Sequence, residues 1–283
     1  MKMNLVGAGY WGSKVQQSLQ KLGVDTNIID IKNGETIDDI DNTDPVILAT
    51  PLWQHYEQAV KLLSRGFDVY VEKPMAETQE QLEHIARIVD NHMLMVGHIF
   101  IHHPQMDLIK SIDIGKIVHV RSERSNWGIY QTQTDPLRSL AVHDISIVQE
   151  LLGTIHPNQA RAFHYTDMTN PDRVWFAGPQ FDIDVTWYSP VRIRRTTILG
   201  TEGQIVWDQD ANTVTHYRNS IENDRAIAVT PTVYVYDYEM SPLEYELNHW
   251  INCVKTRTQA STGVNSALAV ADVIEHVETL LEI

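Results

Sequence analysis

Apolar runs alternate with helix-period segments through the first part of the chain. Helices are predicted at Trp11–Leu22, Trp53–Arg65 and Gln79–Asp90, the last with Thr78 as its N-cap and Gln81 completing a capping box. The runs between them are apolar throughout, which indicates strands buried on both faces of a parallel sheet. These runs are MNLVGAG, TNIIDI, DPVILATP, FDVYVE and MLMVGHIF. The alternation predicts a doubly wound α/β domain.

The pattern changes after about Phe100, where apolar and polar residues alternate with a period of two in several segments. Within Phe181–Trp187 the apolar side chains would face the core and the polar ones between them the open side. Strands are predicted in GKIVHVRSER, NQARAFHYT, DRVWFAG, QFDIDVTWYS, VRIRRTTILG and GQIVWDQ. One helix at about 136–152 interrupts them, and helices at about 242–258 and 265–280 close the chain.

Two domains follow from this change of pattern. We expect an α/β domain at residues 1–100 and an α+β domain at residues 101–283, built on an open and largely antiparallel sheet. The terminal helices, about 242–283, could pack back on the first domain.

Composition narrows the class of protein. The chain has 283 residues and a formal charge of −15, with 37 acidic against 22 basic residues, which argues against a nucleic-acid partner. Its one cysteine, Cys253, excludes an intrachain disulfide and a thiolate metal cage, and the histidines show no metal-ligand spacing. No apolar run approaches the roughly 20 residues of a membrane helix, so we expect a soluble, cytoplasmic protein without a membrane partner.

A glycine-rich turn follows the first predicted strand and opens the first helix. In Gly7-Ala8-Gly9-Tyr10-Trp11-Gly12, Gly7 permits the tight turn, Gly9 lets a pyrophosphate approach the backbone, and Gly12 lets helix and strand pack closely. The N–H groups at the start of the helix favour an anion there. The turn, including Tyr10 and Trp11, is therefore a candidate dinucleotide site, with a glycine turn that binds nothing as the alternative.

Asp30 lies at the end of the second predicted strand. From there its carboxylate could accept hydrogen bonds from an adenosine ribose, and it would repel a 2′-phosphate. NAD is therefore the expected cofactor, in preference to NADP.

Two further turns should flank the same crevice, because ligands of open α/β sheets lie beyond the carboxyl ends of the strands. The third strand ends at Thr50-Pro51 and the fourth at Glu72-Lys73-Pro74. His55, one helical turn after the first of these, is either a surface or capping histidine or a cofactor contact.

The interrupting helix carries a histidine near its middle. Asp135 is suited to its N-cap and Pro136 to its first position, and Ser139 lies one turn before His143. The residues alone leave open whether His143 is structural or faces a ligand.

The motifs GAGYWG, ATPLWQHY, VEKPMAET, VGHIFIHHP and LAVHDISIV occur in this order, and together the chain resembles the Gfo/Idh/MocA oxidoreductases. The likeness is greatest to the branch that oxidises nucleotide-linked amino sugars, such as UDP-N-acetylglucosamine 3-dehydrogenases. It implies a Rossmann domain that binds NAD, and a second domain whose open sheet often mediates assembly of a homo-oligomer.

The resemblance also implies roles for individual residues. Lys73 would hydrogen-bond the reacting hydroxyl, Glu72 would position the nicotinamide riboside, Pro74 would fix the turn, and His143 would face the reacting carbon. Three residues fall where relatives line the sugar or nucleotide pocket: His103, Arg124 and Asn126.

Reference pKa values separate the two candidate bases. Lysine titrates near 10.4 and histidine near 6.5, so a lysine base at neutral pH needs a shift of roughly 3 units while a histidine needs almost none. We therefore expect His143 to be the general base and Lys73 to stay protonated. Members of the family commonly carry aspartate where this chain has Ser139, and serine gives His143 no charged partner, which puts proton transfer in doubt.

The expected function is NAD-dependent oxidation of a secondary alcohol of a sugar, with a UDP-linked amino sugar as the first candidate substrate. Free sugars or inositol are alternatives, because the negative charge of the chain disfavours an anionic nucleotide. A catalytically weak sensor or scaffold that binds dinucleotide and sugar is the alternative from another class.

Overall fold

The computed structural model describes residues 1–127, 134–219, 221–222, 225–226, 230–236 and 239–282. The chain divides into two compact units. The first unit comprises Met1–His103 and Met240–Asp272, and the second comprises Pro104–Glu239 and Val273–Ile283. The first unit is therefore built from two separate stretches of sequence.

The first unit contains a five-stranded parallel sheet of order β2-β1-β3-β4-β5. Its strands and the helices between them confirm the predicted doubly wound arrangement. The strands are β1 (Lys2–Val6), β2 (Asp25–Ile29), β3 (Val46–Leu48), β4 (Val69–Val71) and β5 (Leu94–Val96). The helices are α1 (Tyr10–Lys21), α2 (Leu52–Ser64) and α3 (Gln79–Ile88), joined by α6 (Pro242–Thr256) and the start of α7 (Val264–Leu281).

Helices cover both faces of this sheet, which is why its central strands are apolar at every position. The strands β3, β4 and β5 are fully buried. One apolar cluster packs α2, α3 and the first turns of α7 against the sheet. The other packs α1 and α6, with Trp250 buried at its centre. Burial on both faces stabilises the carboxyl edge of the sheet, from which the candidate turns emerge.

Helix α3 begins at the predicted cap, with one difference in detail. Thr78 Oγ1 accepts from the Gln81 backbone N–H at 3.2 Å, as an N-cap does. The Gln81 side chain accepts from the Glu77 N–H at 2.9 Å, one residue before the cap, so the predicted reciprocal bond to Thr78 is replaced.

The second unit contains an eight-stranded sheet of order β15-β12-β11-β10-β6-β9-β8-β7. Only the β6–β9 pair is parallel among the described pairings of this sheet, which confirms the largely antiparallel prediction. Six strands follow the predicted runs: β6 (Ile117–Trp127), β7 (Gln159–Phe163), β8 (Arg173–Gly178), β9 (Phe181–Thr186), β10 (Tyr188–Gly200) and β11 (Gly203–Asp208). Elements not predicted are α4 (Pro104–Ser111), β12 (Thr213–Arg218), β15 (Thr232–Val235) and the short pair β13 (Ile221–Glu222) and β14 (Arg225–Ala226).

The open side of β9 is more buried than its alternation predicted. Asp184 and Thr186 are each only 8% exposed. Asp184 Oδ1 accepts from Arg173 Nε at 2.7 Å, and Thr186 Oγ1 donates to the Asp172 carbonyl at 2.9 Å. Because each polar group has a partner, burial there carries no large penalty.

The predicted helix at about 136–152 is present without a break, but its start is π-helical. A π-helical turn, Leu137–Ala141, precedes α5 (Val142–Leu152). Asp135 Oδ1 accepts from the Arg138 N–H at 2.8 Å, as predicted for a cap, while the Ser139 hydroxyl donates to the Asp135 carbonyl at 2.7 Å. The Ser139 backbone N–H donates to the same carbonyl at 3.0 Å, so the hydroxyl bond adds to the helix ladder at this position.

No helix among the described residues is long and apolar enough to cross a membrane. Within the same residues no group of His, Cys, Asp or Glu side chains could hold a metal ion.

Candidate functional site

The three glycines of the first turn have different surroundings. Gly7 has φ +92°, and a Cβ there would come within 2.8 Å of the Ala49 carbonyl oxygen. A Cβ on Gly12 would overlap the Gly7 carbonyl, whereas a Cβ on Gly9 would meet nothing within 4 Å. Gly9 is also the N-cap of α1 and has no side chain on the first N–H groups. The turn is closed beneath Gly7 and Gly12 and open above Gly9, which is the cradle that a pyrophosphate needs.

Asp30 is held at the end of β2 by backbone N–H groups. Its Oδ2 accepts from Ala8 at 2.7 Å and its Oδ1 from Lys32 at 2.8 Å. These two bonds, that of Lys32 first, lower the pKa of Asp30, so the carboxylate is ionised at neutral pH. A carboxylate has further acceptor sites. The side chain is thus oriented beside the glycine turn, and its contact with a ribose stays a prediction.

The two aromatic residues of the turn point in different directions. Tyr10 is 81% exposed, and the Lys14 ammonium lies 4.4 Å from its ring centroid. Trp11 packs against the core cluster of α1 and α6, and its indole is near enough to lower the pKa of Glu72, although Nε1 makes no hydrogen bond within the described residues. Tyr10 is therefore available at the rim of the turn, while Trp11 connects the turn to the residue before Lys73.

The turn after β3 is linked to the turn after β4 by a buried histidine. His55 Nδ1 lies 2.7 Å from the Pro74 carbonyl oxygen and Nε2 lies 2.8 Å from that of Thr50. His55 is 2% exposed and burial lowers its pKa, so its interpretation as a surface histidine is wrong. Pro51 precedes α2, and Thr50 Oγ1 donates to Gln58 Oε1 at 2.7 Å. These bonds fix the relative position of the two turns within the first unit.

The Glu72-Lys73-Pro74 turn leaves β4 directly, and its Lys73–Pro74 peptide is cis. Glu72 is 8% exposed, and burial raises its pKa. Four favourable interactions oppose that rise: the indole of Trp11, the charge of Lys73, the Tyr70 hydroxyl and the Lys73 backbone N–H. Lys73 itself is half-buried. Glu72 is thus buried next to Lys73 at the carboxyl edge of the sheet, close enough for the Lys73 charge to lower its pKa.

His98 is a buried residue near Lys73 that the sequence interpretation did not single out. It follows β5 at the same carboxyl edge, is 2% exposed, and neither ring nitrogen has a hydrogen-bond partner in the described part of the chain. Burial, and next the charge of Lys73, lower its pKa to about 4, so it is neutral at neutral pH. The sequence does contain a signal for His98, which is its position. It follows the fifth apolar run, as Thr50 follows the third and Lys73 the fourth.

Arg124 and Asp144 form a buried ion pair in the second unit. Arg124 Nε donates to Asp144 Oδ2 at 2.7 Å, and Ser122 Oγ donates to Asp144 Oδ1 at 2.7 Å. Arg124 is 2% and Asp144 1% exposed. The resemblance placed Arg124 in the substrate pocket; here it ties β6 to α5 one residue from His143, and a contact with substrate stays a prediction.

The remaining predicted substrate residues lie in different settings. His143 is half-buried in the first turn of α5, and its carbonyl accepts from Ser146 Oγ at 2.8 Å. Asn126 is half-buried near the end of β6. His103, the last residue of the first stretch of the first unit, is 3% exposed, and burial lowers its pKa to about 4. Lys73 belongs to the first unit and His143 to the second, and their meeting at one substrate stays a prediction.

The comparison with protein families matches part of the first unit. Residues 13–100 match the Gfo/Idh/MocA model, described as an oxidoreductase family with an NAD-binding Rossmann fold. This match agrees with the resemblance that the sequence motifs indicate.

Two relatives are similar over part of their length. A 2,7-anhydro-N-acetylneuraminate hydratase from Mediterraneibacter gnavus is 27% identical over 181 residues, covering 53% of this chain and 48% of the relative. An uncharacterised oxidoreductase from Streptococcus pneumoniae is 28% identical over 186 residues, covering 54% of this chain and 50% of the relative. The matched region thus spans about half the length of each relative.

Solved structures share the fold over the whole chain. The UDP-N-acetylglucosamine 3-dehydrogenase of Acidithiobacillus ferrooxidans has a TM-score of 0.83 at 18% identity, covering 100% of this chain and 98% of its own. A levoglucosan dehydrogenase, solved with NADH and levoglucosan, has a TM-score of 0.84 at 16% identity, covering 100% and 97%. At these identities the comparison establishes the fold.

Proposed function

We propose that this protein is an NAD-dependent dehydrogenase that oxidises a secondary alcohol of a sugar. The single observation that carries the proposal is the carboxyl edge of the parallel sheet. There a glycine cradle open above Gly9, the ionised Asp30 and the half-buried Lys73 all follow strands of one sheet. The match of residues 13–100 to NAD-binding oxidoreductases supports NAD as the cofactor.

In the proposed reaction NAD, held by the glycine turn and Asp30, supplies the hydride acceptor. Lys73 donates a hydrogen bond to the substrate oxygen and stabilises the negative charge that develops on it. The Glu72 carboxylate next to it favours the protonated form of Lys73. His143 accepts the hydroxyl proton, because histidine titrates near pH 6.5 and lysine near 10.4.

A UDP-linked amino sugar is the proposed substrate, and free sugars are the competing one. The first follows from the motifs shared with UDP-N-acetylglucosamine 3-dehydrogenases and agrees with a structural neighbour of that name. Levoglucosan dehydrogenase, an equally similar structure, acts on a sugar without a nucleotide. The formal charge of −15 also favours a neutral ligand.

The test measures NADH formation with UDP-sugars, free sugars and inositols, beside NADH binding followed by fluorescence. Lys73→Met and His143→Ala should each lower turnover on the true substrate by about 10²–10⁴-fold while NADH affinity changes little. The matched controls are the exposed residues Lys61 and His276, whose variants Lys61→Met and His276→Ala should turn over like the parent. Equal turnover of the parent, Lys73→Met and His143→Ala would refute the assignment.

A sensor that binds NAD and sugar without turnover is the second candidate, and Ser139 favours it. The Ser139 hydroxyl donates to the Asp135 carbonyl and brings no charge to the helix turn before His143. NADH binding without turnover on any member of the panel would support the sensor. In that case Ser139→Asp should not restore turnover, whereas a dehydrogenase limited by its base should gain from it.

A further inference from the structure

A tyrosine hydroxyl lies between two buried carboxyl groups in the first unit. Tyr70 Oη is 2.9 Å from Glu246 Oε2 on α6 and 3.3 Å from Glu72 Oε1, the carboxylate before Lys73. Tyr70 is 0%, Glu246 1% and Glu72 8% exposed. Two acidic side chains thus share one phenol away from water.

Counting hydrogens shows that this group holds a proton beyond that of the phenol. A tyrosine has one hydroxyl hydrogen, and an ionised carboxylate only accepts. With both carboxylates ionised, the single phenol hydrogen would have to serve both contacts, at 2.9 and 3.3 Å, and two negative charges would be buried together. With one carboxyl protonated, both contacts become hydrogen bonds in a single directed chain.

The neighbours of the two carboxyl groups decide where the proton resides. Glu72 receives the Lys73 backbone N–H and faces the Lys73 charge and the Trp11 indole, all of which favour its ionised form. Glu246 has no such partner: within the described residues its Oε1 accepts no hydrogen bond. Burial first, and then the charge of Glu72, raise the pKa of Glu246 well above its ordinary value. The proton therefore belongs on Glu246.

We propose that Glu246 and Tyr70 are positioning residues for the Glu72–Lys73 turn. The neutral Glu246 carboxyl donates to Tyr70, which turns the phenol hydrogen toward Glu72 and keeps that carboxylate ionised next to the lysine. Gly97 provides the space for this chain, since a Cβ there would lie 2.5 Å from Tyr70 Oη and 3.1 Å from Glu72 Oε2. His98, from the end of β5, has a pKa of about 4, so it is neutral beside Lys73 at neutral pH.

Infrared spectroscopy tests the position of the proton without any assay of activity. Glu246→Gln should remove the carbonyl stretch of a protonated carboxylic acid from the spectrum of the parent at neutral pH. Glu244→Gln is the matched control on the same helix. Glu244 pairs with Lys21 at 2.8 Å, so this variant should remove an ionised carboxylate band. Loss of only a carboxylate band in Glu246→Gln would overturn the proposal.

Kinetics test the positioning role, which rests on the proposed dehydrogenase function. Glutamine can donate to Tyr70 as a protonated glutamate does, so Glu246→Gln should keep most of the turnover. Glu246→Leu and Tyr70→Phe should each lower kcat about tenfold. The acidic limb that Glu72 contributes to the pH profile, separate from that of the base His143, should move up by about one pH unit, the effect of one hydrogen bond to a charged group. The limb moves up because Glu72, without its donor, protonates more readily.

The outcomes of the two tests separate the two proposals. A parent enzyme without turnover on any sugar would refute the dehydrogenase, while the infrared spectrum would still decide the protonation of Glu246. An acidic limb that is unchanged in Glu246→Leu and Tyr70→Phe, with NADH affinity and thermal stability retained, would show that the two residues do not act on Glu72.

Discussion

A single methyl group would have different consequences at Gly9 and Gly12. Neither glycine has a positive φ angle, so the backbone conformation at each position is one that alanine can adopt. The difference lies in the space: the Gly12 Cβ would overlap the Gly7 carbonyl, and the Gly9 Cβ would meet nothing within 4 Å. The two positions therefore separate a folding role from a binding role within one turn.

We expect Gly9→Ala to keep the stability of the parent and to lose NADH affinity at least tenfold, because the methyl group fills the pyrophosphate position. Gly12→Ala should instead lower the free energy of unfolding by about 1–3 kcal/mol or more, as overpacking against backbone does. Thermal unfolding and NADH fluorescence measure the two effects. Full NADH affinity in a stable Gly9→Ala variant would contradict a dinucleotide site at this turn.

Which site residues the sequence could predict depends on how local their partners are. The glycine turn and Asp30 act through the Ala8 and Lys32 backbone within one βαβ unit, and motif spacing contains that information. Glu246 meets Tyr70 across 176 residues of chain, and no periodicity records such a contact. The surface interpretation of His55 was wrong for the same reason, because its partner Pro74 lies 19 residues away on the next turn.

At the scale of elements, the Arg124–Asp144 pair joins β6 to α5 beside His143. Removing one partner of a buried pair leaves an uncompensated charge, whereas removing both can be nearly neutral. We expect Asp144→Asn to lower the free energy of unfolding by about 3–5 kcal/mol, and the double variant Arg124→Met/Asp144→Leu to recover most of that loss. Urea unfolding of the three proteins measures this.

The matched control is an exposed pair between β10 and the turn that follows β11. Arg192 Nε lies 2.9 Å from Asp210 Oδ1, with the side chains 58% and 30% exposed. Asp210→Asn should cost less than about 1 kcal/mol because water screens the pair. Equal losses in Asp144→Asn and Asp210→Asn would show that burial does not set the cost.

Secondary-structure elements were predicted where the apolar pattern is continuous. They were missed where an element depends on interactions that this pattern does not contain. The buried strands β3, β4 and β5 read directly from their apolar runs. Strand β12, TVTHYR, is mostly polar, and its place in the sheet comes from pairing with β11 and β15. The π-helical turn at Leu137–Ala141 lies within the predicted helix, and the apolar stripe of that helix does not distinguish a π turn from an α turn.

At the scale of the whole molecule, the first unit is completed by residues far along the chain. Helix α6 supplies Leu243, Leu247 and Trp250 to the core beneath β1, and it also supplies Glu246 to the buried acid group. Its start is fixed by a capping box between Ser241 and Glu244. Folding of the unit and protonation of Glu246 are therefore linked, and the linkage is measurable in the pH dependence of stability.

The sign of that dependence follows from where each state binds protons. Folded Glu246 keeps its proton above the ordinary carboxyl pKa of about 4.3, and unfolded Glu246 does not. Its contribution to stability is therefore full below that pH and decreases as pH rises, by up to about 1.4 kcal/mol per unit, until the raised pKa of the folded state is reached. Glutamine does not titrate, so Glu246→Gln lacks this pH-dependent loss. Its free energy of unfolding should therefore rise relative to that of the parent as pH rises.

The stability contribution of Glu244, on the same helix, should depend on pH in the opposite direction. Bonds from Lys21 and Ser241 lower the pKa of Glu244 against the effect of burial, so its contribution is present above the ordinary carboxyl pKa and is lost as pH falls. Urea unfolding between acidic and mildly alkaline pH gives the free energy of unfolding of the parent and of each variant. Plotted against pH, the difference between the parent and Glu246→Gln should have the opposite slope to the difference between the parent and Glu244→Gln. The Glu246→Gln curve should change above the ordinary carboxyl pKa and the Glu244→Gln curve below it. Parallel curves would mean that Glu246 is ionised in the folded protein, and the directed chain to Glu72 would not exist.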